Sequence, residues 1–149
     1  MNLIGEYSEI KLRRVFRKSR MLSSDISAAF DPTYAMAFEK KNSAFLSHGL
    51  VFNKFTGVRG KSGSNDANAE YLAELRKIMN SNNVYYQTAE LGRVDCGGGG
   101  IIAYILAHYG IEVVDCGVAV LNMHAPWEIT SKADIYETFK GYKVFLMNA

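Results

Sequence analysis

Val113-Val114-Asp115-Cys116-Gly117-Val118-Ala119-Val120-Leu121-Asn122-Met123-His124-Ala125-Pro126 is the stretch on which the reading of this chain turns. Its opening residues are mostly apolar and rich in β-branched side chains, the pattern of a buried strand. The run then meets Asn122, His124 and Pro126, and proline cannot continue a central strand. His124 therefore falls where strand gives way to loop. In open α/β sheets ligands collect beyond the carboxyl ends of the strands, which sets His124 apart from His48 and His108. An imidazole placed there serves as metal ligand, as general base, or as a loop side chain satisfied by its neighbours.

Working outward, the residues before this strand alternate between helix and strand patterns. Tyr7 to Ser19 carries Leu12, Val15 and Phe16 at helical spacing, with basic residues over the remaining surface. Met21–Ile26 reads as a strand that ends on Asp25, a carboxylate that either forms a turn or serves a site. Residues 28–34 read as a loop, since the residue before Pro32 avoids helix. Leu50–Phe55 is the next strand. Asn65 or Asp66 is expected to cap a helix to about Asn80 whose buried face is Ala69, Leu72, Ala73, Leu75 and Ile78. Val84–Glu90 is a third strand, leading through Asp95-Cys96-Gly97-Gly98-Gly99-Gly100 into a helix over 101–107 that Gly110 stops. Four glycines before a helix suit either an anion held on backbone N–H groups or close packing of helix on strand. Thr130 or Ser131 is expected to cap the last helix, with Asp134 in capping-box spacing and Ile135, Thr138, Phe139, Tyr142, Val144 and Phe145 as its apolar face. This alternation predicts an α/β domain over residues 1–149, a mixed sheet flanked by helices.

The totals narrow the function classes. The chain has 149 residues and a formal charge of +2, so no strong field commits it to a polyanion. Six basic residues between Lys11 and Arg20 read as a solvated helix face rather than a nucleic-acid patch, for no aromatic platform accompanies them. No apolar run reaches the roughly 18 residues of a membrane span, and the first residues lack the pattern of a secretory signal. A cytoplasmic location is the expectation, with Cys96 and Cys116 as free thiols, Cys116 in the core and Cys96 in a loop. Gly60-Lys61-Ser62 resembles a phosphate loop, but the glycine required upstream is Phe55, and the match fails.

Four motifs in order carry a resemblance to a known family: Ser23-Ser24-Asp25 with Ala29-Phe30-Asp31-Pro32-Thr33-Tyr34; Gly60-Lys61-Ser62-Gly63-Ser64-Asn65-Asp66-Ala67; Gly92-Arg93-Val94-Asp95 with the four glycines; and Asp115-Cys116-Gly117 running to Met123-His124-Ala125-Pro126. Together they resemble the C-terminal part of the aspartyl aminopeptidase family of zinc exopeptidases, its bacterial branch above all, from about residue 8 onward. The resemblance implies a phosphorylase/hydrolase-like catalytic domain, two zinc ions, and hydrolysis of N-terminal residues, acidic ones in several branches, from peptide substrates. It makes Asp25 a terminal zinc ligand and His124 the last histidine ligand. Lys54 matches a lysine near the substrate pocket, and Asp95, Gly97, Gly98 and Gly99 match a substrate-facing loop. It further implies homo-oligomers, typically dodecamers.

The same resemblance exposes a gap. The first histidine ligand, the bridging aspartate and the adjacent glutamates have no counterpart before Met21, so no general base is assigned, and two of five protein ligands are present. The expectation is a chain that needs an N-terminal half or other subunits and is inactive alone. The alternative is a noncatalytic α/β module that holds an anion on its Gly-rich turn or serves assembly.

Overall fold

The computed structural model describes all residues except 1–4, 6, 58–62, 94–95, 97–98, 100–101 and 149. Its central strand is β3 (Leu50–Thr56). On one side β3 pairs antiparallel with β6 (Glu112–Gly117), and it also pairs parallel with β5 (Tyr86–Glu90) and, at its end, antiparallel with β4 (Asn65–Asp66). Beyond β6 lies β1 (Arg20–Ser24), parallel to it. A second sheet holds β2 (Ser27–Ala28), β7 (Ala119–Leu121) and β8 (Ile129–Thr130) in the order β2-β7-β8.

The continuous apolar runs of β3 and β6 follow from burial on both faces. Leu50, Phe52, Val114 and Cys116 point to one core with Tyr71, Leu72, Leu75 and Met79 of α2 (Ala69–Ser81) and Phe145 of α4 (Lys132–Asn148). Val51 points the other way, into a second cluster with Ala29, Ala44, Ala89 and Ala119. Val113 meets Leu91 and Ala103 in a third, beneath α3 (Ala103–Ala107). Helix α1 (Glu9–Lys18) buries no residue fully, and its Phe16 ring packs 5.6 Å from that of Tyr109. Burial pushes the Tyr142 hydroxyl pKa up to about 12, and the hydroxyl lies 2.6 Å from the Cys116 carbonyl, pinning α4 against β6.

Several sequence expectations change. Val113–Leu121 is two strands in two sheets. A Cβ on Gly117 would stand 1.7 Å from the Asp25 carbonyl oxygen. Glycine is thus what lets the two chains touch where they bend. One offset of 92 positions relates Arg20 to Glu112 and Ser27 to Ala119, so β1–β6 and β2–β7 form one parallel ribbon that crosses between sheets without slipping register. Residues 28–34 are not wholly loop: Ala28 ends β2, and Pro32–Ala37 forms a 3-10 turn capped by Asp31, whose carboxylate accepts the Thr33 N–H at 2.8 Å.

Asn68, not Asn65 or Asp66, caps α2, its Oδ1 accepting the Glu70 N–H at 2.8 Å. Asn65 and Asp66 are taken instead by pairing with Thr56 and Phe55. Tyr71 and Met79 replace the exposed Ala69 and Ala73 on the buried face. Asp134 makes no capping box, because its carboxylate turns inward and accepts the N–H groups of Ser47 and Gly49, each at 2.7 Å. Ile135 and Phe139 are exposed on α4, while Asp134, Thr138, Gly141 and Phe145 are buried. Ser131 does precede this helix as expected, its carbonyl accepting the Ile135 N–H at 3.1 Å.

Candidate metal and substrate site

Asp25 occupies the bend of the parallel ribbon, between β1 and β2. Its N–H donates to the Cys116 carbonyl at 3.3 Å, and its Oδ1 accepts the N–H of Ile26 at 2.8 Å. The side chain is exposed, leaving the second carboxylate oxygen for a partner outside the fold. The location follows from the sequence: Ser23 and Ser24 complete the pairing with Asp115 and Cys116, and Asp25 is the first residue past it.

His124 lies in the loop between β7 and β8. The Ala125 N–H donates to the Asn122 carbonyl at 2.9 Å, closing a turn in which Asn122 (φ 57°) and His124 (φ 67°) are both left-handed. Glu128 Oε1 accepts the His124 N–H at 2.7 Å. The imidazole opens onto a cleft of about 230 Å³ walled by Ala28, Phe38, Leu91, Gly92, Gly99 and Met123. Asp25 is not among the residues that line that cleft.

Lys54 faces a neighbouring cleft of about 180 Å³, lined also by Asn42, Thr88, Ala89 and Glu90. Glu90 of this cleft and Leu91 of the His124 cleft are consecutive in the chain. The Lys54 ammonium is ion-paired with Asp66. A substrate carboxylate would therefore compete with Asp66 rather than meet a free cation. Gly99 lines the His124 cleft, and a Cβ there would come within 2.8 Å of Leu91 Cδ2, a side-chain end that can move aside. Asp95, Gly97 and Gly98 lie outside the described residues. Helix α3 begins at Ala103 rather than at 101 and has five residues, a weak dipole for an anion. A larger cavity of about 450 Å³ lies elsewhere, lined by Asn80, Asn83, Val84, Tyr85 and Tyr86, and carries no metal donor.

Beneath the bend is a buried polar row that sequence reasoning left without a role. Ser23 and Asn53 are the register partners of Asp115 on its two sides. Ser27 Oγ donates to Asn53 Oδ1 at 2.9 Å, and Thr56 Oγ1 donates to Asp115 Oδ2 at 3.3 Å. Asp115 Oδ1 and Asn53 Nδ2 find no partner among the described residues. Burial raises the Asp115 pKa from 3.8 to about 6, the nearby Asp25 charge adding to the rise while the neighbouring Ser23 and Thr56 hydroxyls oppose it. The only sequence signal was a carboxylate inside an apolar run. Glu128 was also missed, and nothing in its local sequence marks it.

Carboxylate oxygen and imidazole nitrogen are ordinary zinc donors. Among the described residues no three His, Cys, Asp or Glu side chains gather around one point. The donor chemistry thus fits zinc, and the donor number fits part of a site.

Comparison with known proteins identifies the family of the chain. The model of the aminopeptidase I zinc metalloprotease (M18) family matches residues 1–146. A probable M18 family aminopeptidase 1 of Clostridium acetobutylicum is 67% identical over 148 residues, covering 99% of this chain and 32% of the relative. The crystal structure of the M18 aminopeptidase of Thermotoga maritima superposes with a TM-score of 0.91 at 42% identity, covering 97% of this chain and 32% of that one. The mApe1 dodecamer of S. cerevisiae, at 18% identity and a TM-score of 0.71, shares the fold over 92% of this chain and 28% of its own. The chain spans about a third of the length of the curated relatives it matches. This chain belongs to the M18 family of zinc metalloproteases.

Proposed function

We propose that this chain supplies the terminal zinc ligands Asp25 and His124 to an M18 aminopeptidase catalytic domain, whose remaining ligands and general base come from the part of the enzyme this chain does not span. The observation that carries this reading is the placement of both residues. Each sits exposed at or beyond a strand end, on a backbone fixed by hydrogen bonds to the fold. One carboxylate and one imidazole suit a two-zinc centre in which each ion takes one terminal ligand from this segment. Bound zinc would act as a Lewis acid toward the scissile carbonyl. The cleft beside His124 would seat the N-terminal residue of a peptide, with Gly99 in its lining; Asp95, Gly97 and Gly98 belong to this reading as substrate-binding residues through their family motif alone. Lys54 would read an acidic side chain there by exchanging Asp66 for it.

By this reading the chain alone neither holds zinc tightly nor turns over substrate. Its partner is the rest of the M18 domain, and the assembled enzyme is a homo-oligomer, as the S. cerevisiae mApe1 dodecamer is. A cytoplasmic location belongs to the same reading, supported by two free cysteines, Cys96 exposed and Cys116 buried. No helix among the described residues is long and apolar enough to cross a membrane.

The test is a chimera in which this chain replaces the matching third of the Clostridium acetobutylicum relative. Hydrolysis of aspartyl or glutamyl chromogenic substrates with stoichiometric zinc is expected, falling to background in Asp25→Ala and His124→Ala. A chimera whose zinc content and turnover survive both substitutions would overturn the assignment.

A further inference from the structure

The His124 turn presents a problem that Glu128 solves. Asn122 and His124 both have left-handed backbone, at φ 57° and 67°, a conformation that costs L residues energy and is usually given to glycine. Such geometry persists only where the surroundings hold it. The Ala125 N–H to Asn122 carbonyl bond closes the turn but leaves the His124 N–H pointing away from it. That N–H is taken by Glu128 Oε1 at 2.7 Å, the length of a charge-assisted bond. Glu128 is itself anchored, because β8 begins at the next residue and Ile129 pairs with Leu121 of β7. The carboxylate thus bridges the loop at its base, across Pro126 and the exposed Trp127.

We propose that Glu128 is a positioning residue for His124: it fixes the left-handed turn that aims the imidazole into the cleft. The proposal rests on His124 being a zinc ligand only for its consequence. The strained turn and its carboxylate clamp stand on geometry alone. A ligand whose backbone must be reordered on binding loses affinity, and removing partners that orient ligands costs roughly 10–100-fold in metal binding.

The experiment uses the full chain, labelled with ¹⁵N, as wild type, Glu128→Ala and Glu128→Gln. Without metal, amide hydrogen exchange at His124 should quicken about tenfold in E128A and stay near wild type in E128Q, which keeps an acceptor oxygen. Exchange at Phe52 and Val114 in the core should be unchanged in both, showing that the fold is intact. In the chimera, where the remaining ligands are present, the zinc concentration that half-restores bound metal after chelator treatment should rise about tenfold in E128A and recover in E128Q. Unchanged His124 exchange in E128A, or equal zinc midpoints in wild type and E128A, would overturn the proposal. A chimera whose zinc midpoint is unchanged by His124→Ala would refute the ligand reading instead, and the exchange comparison would still decide the role of Glu128.

Discussion

Replacing Asp115 by asparagine should stabilise the metal-free chain at neutral pH. The side chain is fully buried, Thr56 Oγ1 reaches its Oδ2 only at 3.3 Å, and its Oδ1 finds no partner among the described residues. Burial, with the Asp25 charge adding to it, raises the pKa from 3.8 to about 6. A carboxyl that holds its proton more tightly in the folded than in the unfolded chain favours folding when protonated. Stability is therefore fully present below pH 3.8, falls as pH rises through the window to about 6, and stays lowered above it. Two pKa units correspond to about 3 kcal/mol. Asparagine keeps the oxygen that accepts from Thr56 and has no charge to desolvate. Urea unfolding of wild type and Asp115→Asn in chelator, at pH 4 and pH 7, reads the effect as the change in their difference between the two pH values. The two proteins should be nearly equal at pH 4, with the variant ahead by about 2–3 kcal/mol at pH 7. A difference independent of pH, or a variant that loses ground as pH rises, would refute the reasoning.

Gly117→Ala should destabilise by about 3 kcal/mol or more, because backbone rather than a mobile side chain occupies the Cβ position, and thermal melting reads it. Asp134→Ala strips the acceptor from the N–H groups of Ser47 and Gly49. It should cost about 3 kcal/mol in urea unfolding. Leu75→Ala empties a fully buried position between α2 and β3 and should cost about 2–5 kcal/mol by the same assay. Lys54→Met breaks a pair with an exposed Asp66 and should change stability by less than about 1 kcal/mol. In the chimera it should raise KM for acidic substrates more than for neutral ones.

Period and composition were enough to place most elements and the family. The apolar runs at Leu50–Phe55 and Val113–Val120 had to be buried strands, and Leu72 with Leu75 had to face a core, because burial of apolar area is local information repeated along the chain. The order of four motifs pointed to the zinc exopeptidases, and with them to Asp25 and His124. Chain order could not reveal which groups meet across the fold. Gly117 looked like one more small residue in a strand, and only the Asp25 carbonyl packed against it explains why one run becomes two strands in two sheets. Asp134 had the spacing of a cap, but Ser47 and Gly49, more than 80 positions away, offered their N–H groups first. Lys54 had the charge for an acidic substrate, and Asp66 already holds it. Glu128 was unremarkable until the left-handed turn at His124 gave its carboxylate a task. The sequence by itself determined where the apolar runs form buried strands and which chemistry is available. Tertiary structure alone decided partners, because hydrogen bonds and backbone contacts form between groups that folding brings together, and a polar side chain satisfies whichever buried group reaches it first.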